Sequence, residues 1–192
     1  SLTHDAVFSI VESSNNNLWI GTGGGLNHFN TSNNQFTHYL HQENNPNSLS
    51  DGSVYSVIED SQGNVWAGTG GGGLNYFNTK SQQFTQYRYQ SNNQNSLSNN
   101  NVFRIVEDEQ SNIWIGTLGG GINYFNIKNE SFGHYSHQTN DLNSLSNNNV
   151  FSITEDSKGD LWIGTLTGGL NHFNAKNKQV THYKHQANNV NS

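Results

Sequence analysis

Four tryptophans recur at almost constant spacing along this chain of 192 residues. They are Trp19, Trp66, Trp114 and Trp162, separated by 47, 48 and 48 residues. Each stands in the same phrase, in which Asn or Asp and an aliphatic residue precede the tryptophan and aliphatic-Gly-Thr follows it. A repeat of this length is typical of a propeller, a solenoid or another array, whose units bury apolar surface only by stacking on one another.

The repeat predicts a single array over residues 1–192, divided into units 1–47, 48–95, 96–143 and 144–191. Each unit contains four short runs of β-branched and aromatic residues, separated by Gly, Asn, Ser and Asp. In the third unit these runs are 102–107, 113–117, 122–126 and 132–137. No segment has the apolar spacing of a helix. We therefore predict an all-β protein, a β-propeller of four blades with four antiparallel strands each. The first strand of each blade lines the channel and the fourth lies at the rim.

Composition excludes several classes of function. The formal net charge is −6 with only 8 Lys and Arg residues, and no basic run exists for a nucleic acid to bind. No apolar run approaches the roughly 20 residues that span a bilayer, so the chain has no predicted membrane segment. Ser192 occupies the place of Ser48, Ser96 and Ser144, which suggests an excerpt of a longer array. No cofactor is predicted.

The repeated tryptophans are interpreted as core anchors rather than as platforms for carbohydrate, because apolar residues flank each of them and large aromatic side chains dominate core burial. The glycines that follow them are interpreted as turns that need a positive φ. These loops contain no Lys, which argues against a phosphate site.

Histidines occur in pairs three residues apart at the end of three units. On a strand such positions point to opposite faces, and the second unit has Gln86 and Tyr89 instead, so no metal site is predicted. The second member of each pair lies where the outer strand exits, and these residues are candidate ligand contacts: His41, Tyr89, His137 and His185.

A further candidate is Arg104, which stands where the other units have Ser9, Ser56 and Ser152. It would bind a carboxylate or sulfate of a ligand, or neutralise a nearby glutamate. Every unit also ends its first strand with a glutamate, at positions 12, 59, 107 and 155. A carboxylate ring around a cation is one interpretation of these glutamates. We favour the other, a polar opening of the turn that follows.

The run from Ser144 to Asn174, with its Leu-Trp-Ile-Gly-Thr and Gly-Gly-Leu phrases, resembles the two-component regulator propeller repeat. The resemblance extends over all four units. It implies a propeller in the periplasmic or extracytoplasmic sensor region of a bacterial receptor. In that family the propeller is commonly followed by a Tyr-rich β-sandwich, a membrane span and a histidine kinase. Several members are thought to sense glycan breakdown products.

Three hypotheses for function follow. The first is a non-catalytic recognition or sensor module that binds a glycan fragment or a protein partner. The second is a lyase or glycosidase, which would need a catalytic constellation that breaks the repeat. The third is a structural, self-assembling unit without a ligand. We favour the first, and no catalytic residue is predicted. Each sheet is made from consecutive strands, so no strand exchange would lock a ring. We expect two chains to form an eight-bladed ring, and the alternative is an open arc of four blades.

Overall fold

The computed structural model describes residues 1–186, which form sixteen strands in four sheets. The first sheet contains β1 Val7–Glu12, β2 Leu18–Thr22, β3 Gly25–Asn30 and β4 Gln35–Tyr39. The second contains β5 Val54–Glu59, β6 Val65–Thr69, β7 Leu74–Asn78 and β8 Gln83–Tyr87. The third contains β9 Val102–Glu107, β10 Ile113–Thr117, β11 Gly121–Asn126 and β12 Ser131–Tyr135. The fourth contains β13 Val150–Glu155, β14 Leu161–Thr165, β15 Leu170–Phe173 and β16 Val180–Tyr183.

Every sheet is an antiparallel meander whose strands are paired in chain order. The all-β prediction of four blades with four strands each is confirmed, and the described residues contain no helix. The outer strand of the third sheet ends at Tyr135, so His137 lies in the loop beyond it. We call the first strand of each sheet, namely β1, β5, β9 or β13, its inner strand, because consecutive first strands pack against one another.

The core lies between sheets rather than within them. We call the side of a sheet that carries its tryptophan the tryptophan face, and the opposite side, which carries the first valine of the inner strand, the valine face. Between the first two sheets, Trp19 and Leu26 of one tryptophan face pack against Val54, Val57 and Phe77 of the next valine face. The second and third sheets form the same contact, and so do the third and fourth. Burial on both faces explains why the inner strands do not alternate strictly between apolar and polar residues.

The two terminal faces of the arc lack this cover among the described residues. On the first valine face Val7 is 40% exposed and Ile10 is 62% exposed, whereas the equivalent Val54 and Val57 are 0% and 4% exposed. On the fourth tryptophan face Leu170 is 38% exposed, while the equivalent Leu26 is fully buried. The four sheets therefore form an open arc with an apolar surface at each end.

Candidate recognition surface

Each inner strand carries a β-bulge one residue after its first valine. The pairing register shifts between Val7 and Ser9 in the first sheet, and the second, third and fourth sheets have the same irregularity. A bulge inserts an extra residue and re-aims its side chain. That residue is aromatic in all four sheets: Phe8, Tyr55, Phe103 and Phe151.

The four bulged side chains form a continuous row across the arc, which we call the aromatic row. Ring centroids are 4.9 Å apart between Phe8 and Tyr55, 4.6 Å between Tyr55 and Phe103, and 5.0 Å between Phe103 and Phe151. The two end rings are exposed and the two middle rings are half-buried. An exposed apolar stripe of this kind offers flat ring surfaces to a ligand.

In the second sheet the aromatic row lies against the glycine loop that joins the second and third strands. A Cβ atom at Gly70 would lie 2.6 Å from Cε2 of Tyr55, so only glycine leaves room for that ring. Several of these glycines have a positive φ, including Gly71 at 148° and Gly121 at 76°. The glycine loops thus serve as turns, and in the second sheet Gly70 also leaves room for an aromatic ring.

Arg104 lies directly after Phe103 in β9, and its side chain is exposed. At the equivalent position in the first two sheets, the hydroxyl of Ser9 accepts the amide of Val57, and that of Ser56 accepts the amide of Ile105. The side chain of Arg104 offers no such acceptor at the interface between the third and fourth sheets. Within residues 1–186 no ion pair joins Arg104 to a carboxylate, so neutralisation of a nearby glutamate is not observed.

The other four predicted contact residues lie away from the inner strands. Nδ1 of His41 is 2.7 Å from the Leu49 carbonyl oxygen, and Nδ1 of His137 is 2.6 Å from that of Leu145. Tyr89 forms a parallel bridge to Leu97, as His41 does to Leu49, and His185 is exposed at the corresponding position. The structure therefore places these side chains beyond the outer strands, where His41 and His137 brace the long loops that lead to the next sheet.

Two open hollows lie along these loops. One, of about 260 Å³, is lined by His41, Pro46 and Arg88 among others. The second, of about 610 Å³, is lined by Tyr89 and the loop residues that follow it. Arg104 lines neither hollow, so the predicted contact residues do not converge on one site.

The indole nitrogens of the tryptophans all donate to a carboxylate, a feature that the sequence analysis missed. Nε1 of Trp66 donates to Asp60 at 2.9 Å, and Trp114 and Trp162 donate to Asp108 and Asp156 in the same way. Amide hydrogen bonds, first that of Lys158, and the Trp162 bond hold the pKa of the Asp156 carboxyl below its ordinary value. The signal in the sequence was an Asp six residues before Trp in three of the four units.

In the first sheet, the indole of the tryptophan donates to a carboxylate on the neighbouring sheet. Ser13 replaces the aspartate there, and Nε1 of Trp19 donates instead to Oε2 of Glu59 on the second sheet, at 3.2 Å. The other oxygen of Glu59 accepts the amide of Ser14 at 2.8 Å. Glu107 and Glu155 accept turn amides of the preceding sheet in the same way. These three glutamates thus contact turns, but the turns belong to the neighbouring sheet, whereas the expected turns were those after the glutamates' own strands.

Glu155, at the interface between the third and fourth sheets, has a perturbed pKa. Burial, and secondly the negative charge of Asp108, raise the pKa of the Glu155 carboxyl. The shift thus follows first from burial and secondly from two carboxylates that meet where adjacent turns pack.

One group of metal-ligating side chains does come together within the described residues. It consists of Asp156, Asp160 and His172. These residues lie at the end of the fourth sheet where the turn joins β13 to β14. The repeat pattern did not predict this group because the three positions belong to different strands and loops of that sheet.

No helix long and apolar enough to cross a membrane occurs in residues 1–186.

Solved structures with similar folds include several bacterial extracellular domains. The extracellular domain of BT3049 of B. thetaiotaomicron, described as a hybrid two-component system, is 29% identical, with a TM-score of 0.84, and the match covers 96% of this chain and 25% of that one. That of BT4673 from the same organism, described as a one-component system, is 23% identical, with a TM-score of 0.76 and coverage of 92% and 25%. The chain therefore spans about a quarter of the length of these relatives.

Virginiamycin B lyase of Staphylococcus aureus shares the fold at 16% identity and a TM-score of 0.70, with coverage of 97% of this chain and 59% of the lyase. No curated protein matches the chain. The family model described as the two-component regulator propeller matches residues 1–24, 48–71, 96–119 and 144–167, once in each repeat. The chain thus belongs to the two-component regulator propeller family.

Proposed function

We propose that this chain is a non-catalytic recognition module from the extracytoplasmic sensor region of a bacterial two-component-type receptor. The aromatic row is the observation that carries the proposal. It extends across all four sheets, and Arg104 directly follows one of its members, Phe103, in β9. The family and the extracellular domain of BT3049 support the setting in a sensor.

The chemistry of the row favours a fragment of an acidic glycan as the ligand. Aromatic rings stack on the apolar faces of sugar rings, and a guanidinium forms charge-assisted hydrogen bonds to a carboxylate or sulfate. The exposed guanidinium of Arg104 belongs to the same strand as the half-buried ring of Phe103. A protein partner would use the same exposed stripe and is the alternative outcome of the test.

An enzymatic function is the weaker candidate. Asp60, Asp108 and Asp156 hold equivalent indoles, and Glu59, Glu107 and Glu155 hold equivalent turns, so these carboxylates already have structural roles. The likeness to a lyase at 16% identity concerns the fold alone.

Calorimetric titration with sulfated and uronate-containing disaccharides tests recognition. We expect binding that Arg104→Ser weakens by about tenfold or more, because a hydrogen bond to a charged group contributes about 1.5–3 kcal/mol. The same change installs the serine found in the other three repeats, whose hydroxyl accepts a neighbouring amide in two of them, so the fold should be retained.

Arg88→Ser is the matched control, because it removes a cation from the hollow that contains His41 and introduces the residue of the third repeat, Ser136. Loss of binding in Arg88→Ser alone would place the ligand in that hollow. Absence of binding to every glycan of the panel, or equal binding by Arg104→Ser, would contradict the proposal.

We further propose that two copies of the chain associate end to end. The tryptophan face of the fourth sheet in one copy would then cover the valine face of the first sheet in the other copy. The three internal interfaces provide the template. Phe77 packs 5.9 Å from Trp19 and 4.6 Å from Tyr39, centroid to centroid. The corresponding residues at the two ends are Phe29 on one chain and Trp162 with Tyr183 on the other. The exposure of Val7, Ile10 and Leu170 supports this pairing.

Multi-angle light scattering over a concentration series tests association. The expected mass approaches twice 21.3 kDa, and Gly164→Ala should hold the chain at the monomer mass. In the internal interfaces a Cβ at the equivalent glycine would meet the next inner strand, as at Gly116, where it would lie 2.7 Å from Val150. Gly133→Ala is the control, since its nearest neighbour would be 3.9 Å away. A wild-type chain that remains monomeric at the highest concentration would overturn the pairing.

A further inference from the structure

Three potential metal ligands converge at the turn end of the fourth sheet. Asp156 follows β13, Asp160 precedes β14, and His172 belongs to β15. Nε2 of His172 is 3.4 Å from Oδ2 of Asp160 and 3.9 Å from Oδ2 of Asp156. All three ligand atoms lie within 4.8 Å of one another. Two ligands at about 2.1 Å from one ion are separated by roughly 3.0–3.5 Å, so small adjustments would bring these atoms to a common centre.

This group departs from the repeat. Where the fourth unit has Asp160, the other three have Asn17, Asn64 and Asn112, and where it has His172, the second and third have Tyr76 and Tyr124. The first unit has a histidine, His28, but it has Ser13 in place of Asp156. Only the fourth unit therefore combines two carboxylates with an imidazole, although the backbone framework is the same in all of them.

The ligand atoms are already held in place. Oδ2 of Asp156 accepts Nε1 of Trp162 at 3.0 Å, and Oδ2 of Asp160 accepts Nδ2 of Asn174 at 3.1 Å. A carboxylate oxygen has two lone pairs, so each Oδ2 retains one for an ion. The imidazole of His172 packs on Trp162 with centroids 4.5 Å apart. Such second interactions orient ligands and strengthen metal binding.

We infer that Asp156, Asp160 and His172 form a binding site for a divalent transition-metal ion, with zinc as the best match. Zinc accepts imidazole nitrogen and carboxylate oxygen, and water would complete its four positions. Calcium and magnesium favour sets of oxygen ligands and gain less from the imidazole. The side chains of Asp156 and His172 are 27% and 24% exposed, which leaves the group open to solvent. The inference concerns a single chain and depends neither on glycan binding nor on association.

Calorimetric titration with zinc chloride tests the site. We expect one ion per chain and a rise in the midpoint of thermal unfolding. Asp160→Asn and His172→Tyr should each weaken binding at least tenfold, and each introduces a residue that sibling repeats carry in the same framework. His134→Gln is the matched control: it removes a histidine that contacts the Ser96 carbonyl, and Gln86 makes the equivalent contact in the second repeat.

Calcium chloride at the same concentration should bind at least tenfold more weakly than zinc. Repeating the zinc titration with Gly164→Ala separates this site from self-association, because that substitution leaves all three ligands intact. The inference is overturned if zinc does not bind. It is also overturned if Asp160→Asn and His172→Tyr both bind zinc as the wild type does, since the ion would then be held by other histidines.

Discussion

At the scale of single residues, the hydrogen bond between an indole and a carboxylate stands out because it is buried and repeated. Asp60 is only 6% exposed and satisfies three donors: its Oδ1 accepts the amides of Gln62 and Asn64, and its Oδ2 accepts Nε1 of Trp66. One side chain thus closes a turn and anchors the tryptophan behind it. Removal of such a residue leaves buried donors without partners, which costs more than the net value of the bonds themselves.

Asp60→Ala should therefore lower the free energy of unfolding by about 2–4 kcal/mol, measured by urea denaturation. Asp141→Asn is the control, because Asp141 is exposed in a long loop and the first two repeats have Asn45 and Asn93 there. The control should stay within about 0.5 kcal/mol of the wild type. A loss below 1 kcal/mol for Asp60→Ala would show that the bonds are replaced by water at little cost.

The tryptophans were evident from the sequence, but their partners were not. The repeated phrase predicted a buried role for Trp19, yet its hydrogen-bond acceptor is Glu59, forty residues away on the next sheet. That pairing depends on how two sheets pack, which a local pattern does not contain. The partners of His41 and His137 were likewise not evident, since both rings contact the carbonyl of a leucine eight residues further along. Ligand binding at these two residues stays a prediction.

At the scale of strands and sheets, the glycine in each second strand sets how closely the next inner strand can approach. A Cβ at Gly68 would lie 2.4 Å from Cγ1 of Val102 and 3.0 Å from its carbonyl oxygen. The equivalent Gly164 lies on the terminal tryptophan face, and its Cβ would meet only the hydroxyl of Ser152 in its own sheet. The same residue type therefore has a packing role at the interfaces and none at the end of the described arc.

Gly68→Ala should reduce the free energy of unfolding by about 1–3 kcal/mol, because the added methyl group overpacks the interface. Gly164→Ala, measured by urea denaturation at the same low protein concentration, should stay within about 0.5 kcal/mol of the wild type. Equal losses in the two variants would mean that strand conformation, rather than contact between sheets, determines the effect.

The sequence predicted the existence of the strands better than the residues at which they end. The fourth run of the third repeat was expected to continue to His137, but β12 ends at Tyr135. The amide of His137 donates to Oδ1 of Asn148 at 2.6 Å, so the long loop captures the chain before the sheet can extend. The bulges were also missed, because one extra residue within an apolar strand changes the direction of a side chain without changing the apolar pattern.

At the scale of the whole molecule, the spacing of tryptophans was sufficient to predict the architecture, whereas the candidate sites required the fold. Phe8 and Phe103 stand far apart in the chain and join one row only because their sheets follow one another around an arc. Asp156, Asp160 and His172 likewise meet only when β13, β14 and β15 pair. The sequence repeat makes the fold easy to predict. It does not show which of the repeated positions meet in space.

Every sheet is formed by four strands that are neighbours in the chain, and sheets meet through side chains that recur from one junction to the next. Duplication or deletion of one unit in a gene would consequently leave all strand pairing intact and restore an equivalent junction. Blade number can thus drift during evolution without redesign of the core. A lineage with such a chain can change the length of its arc by recombination alone.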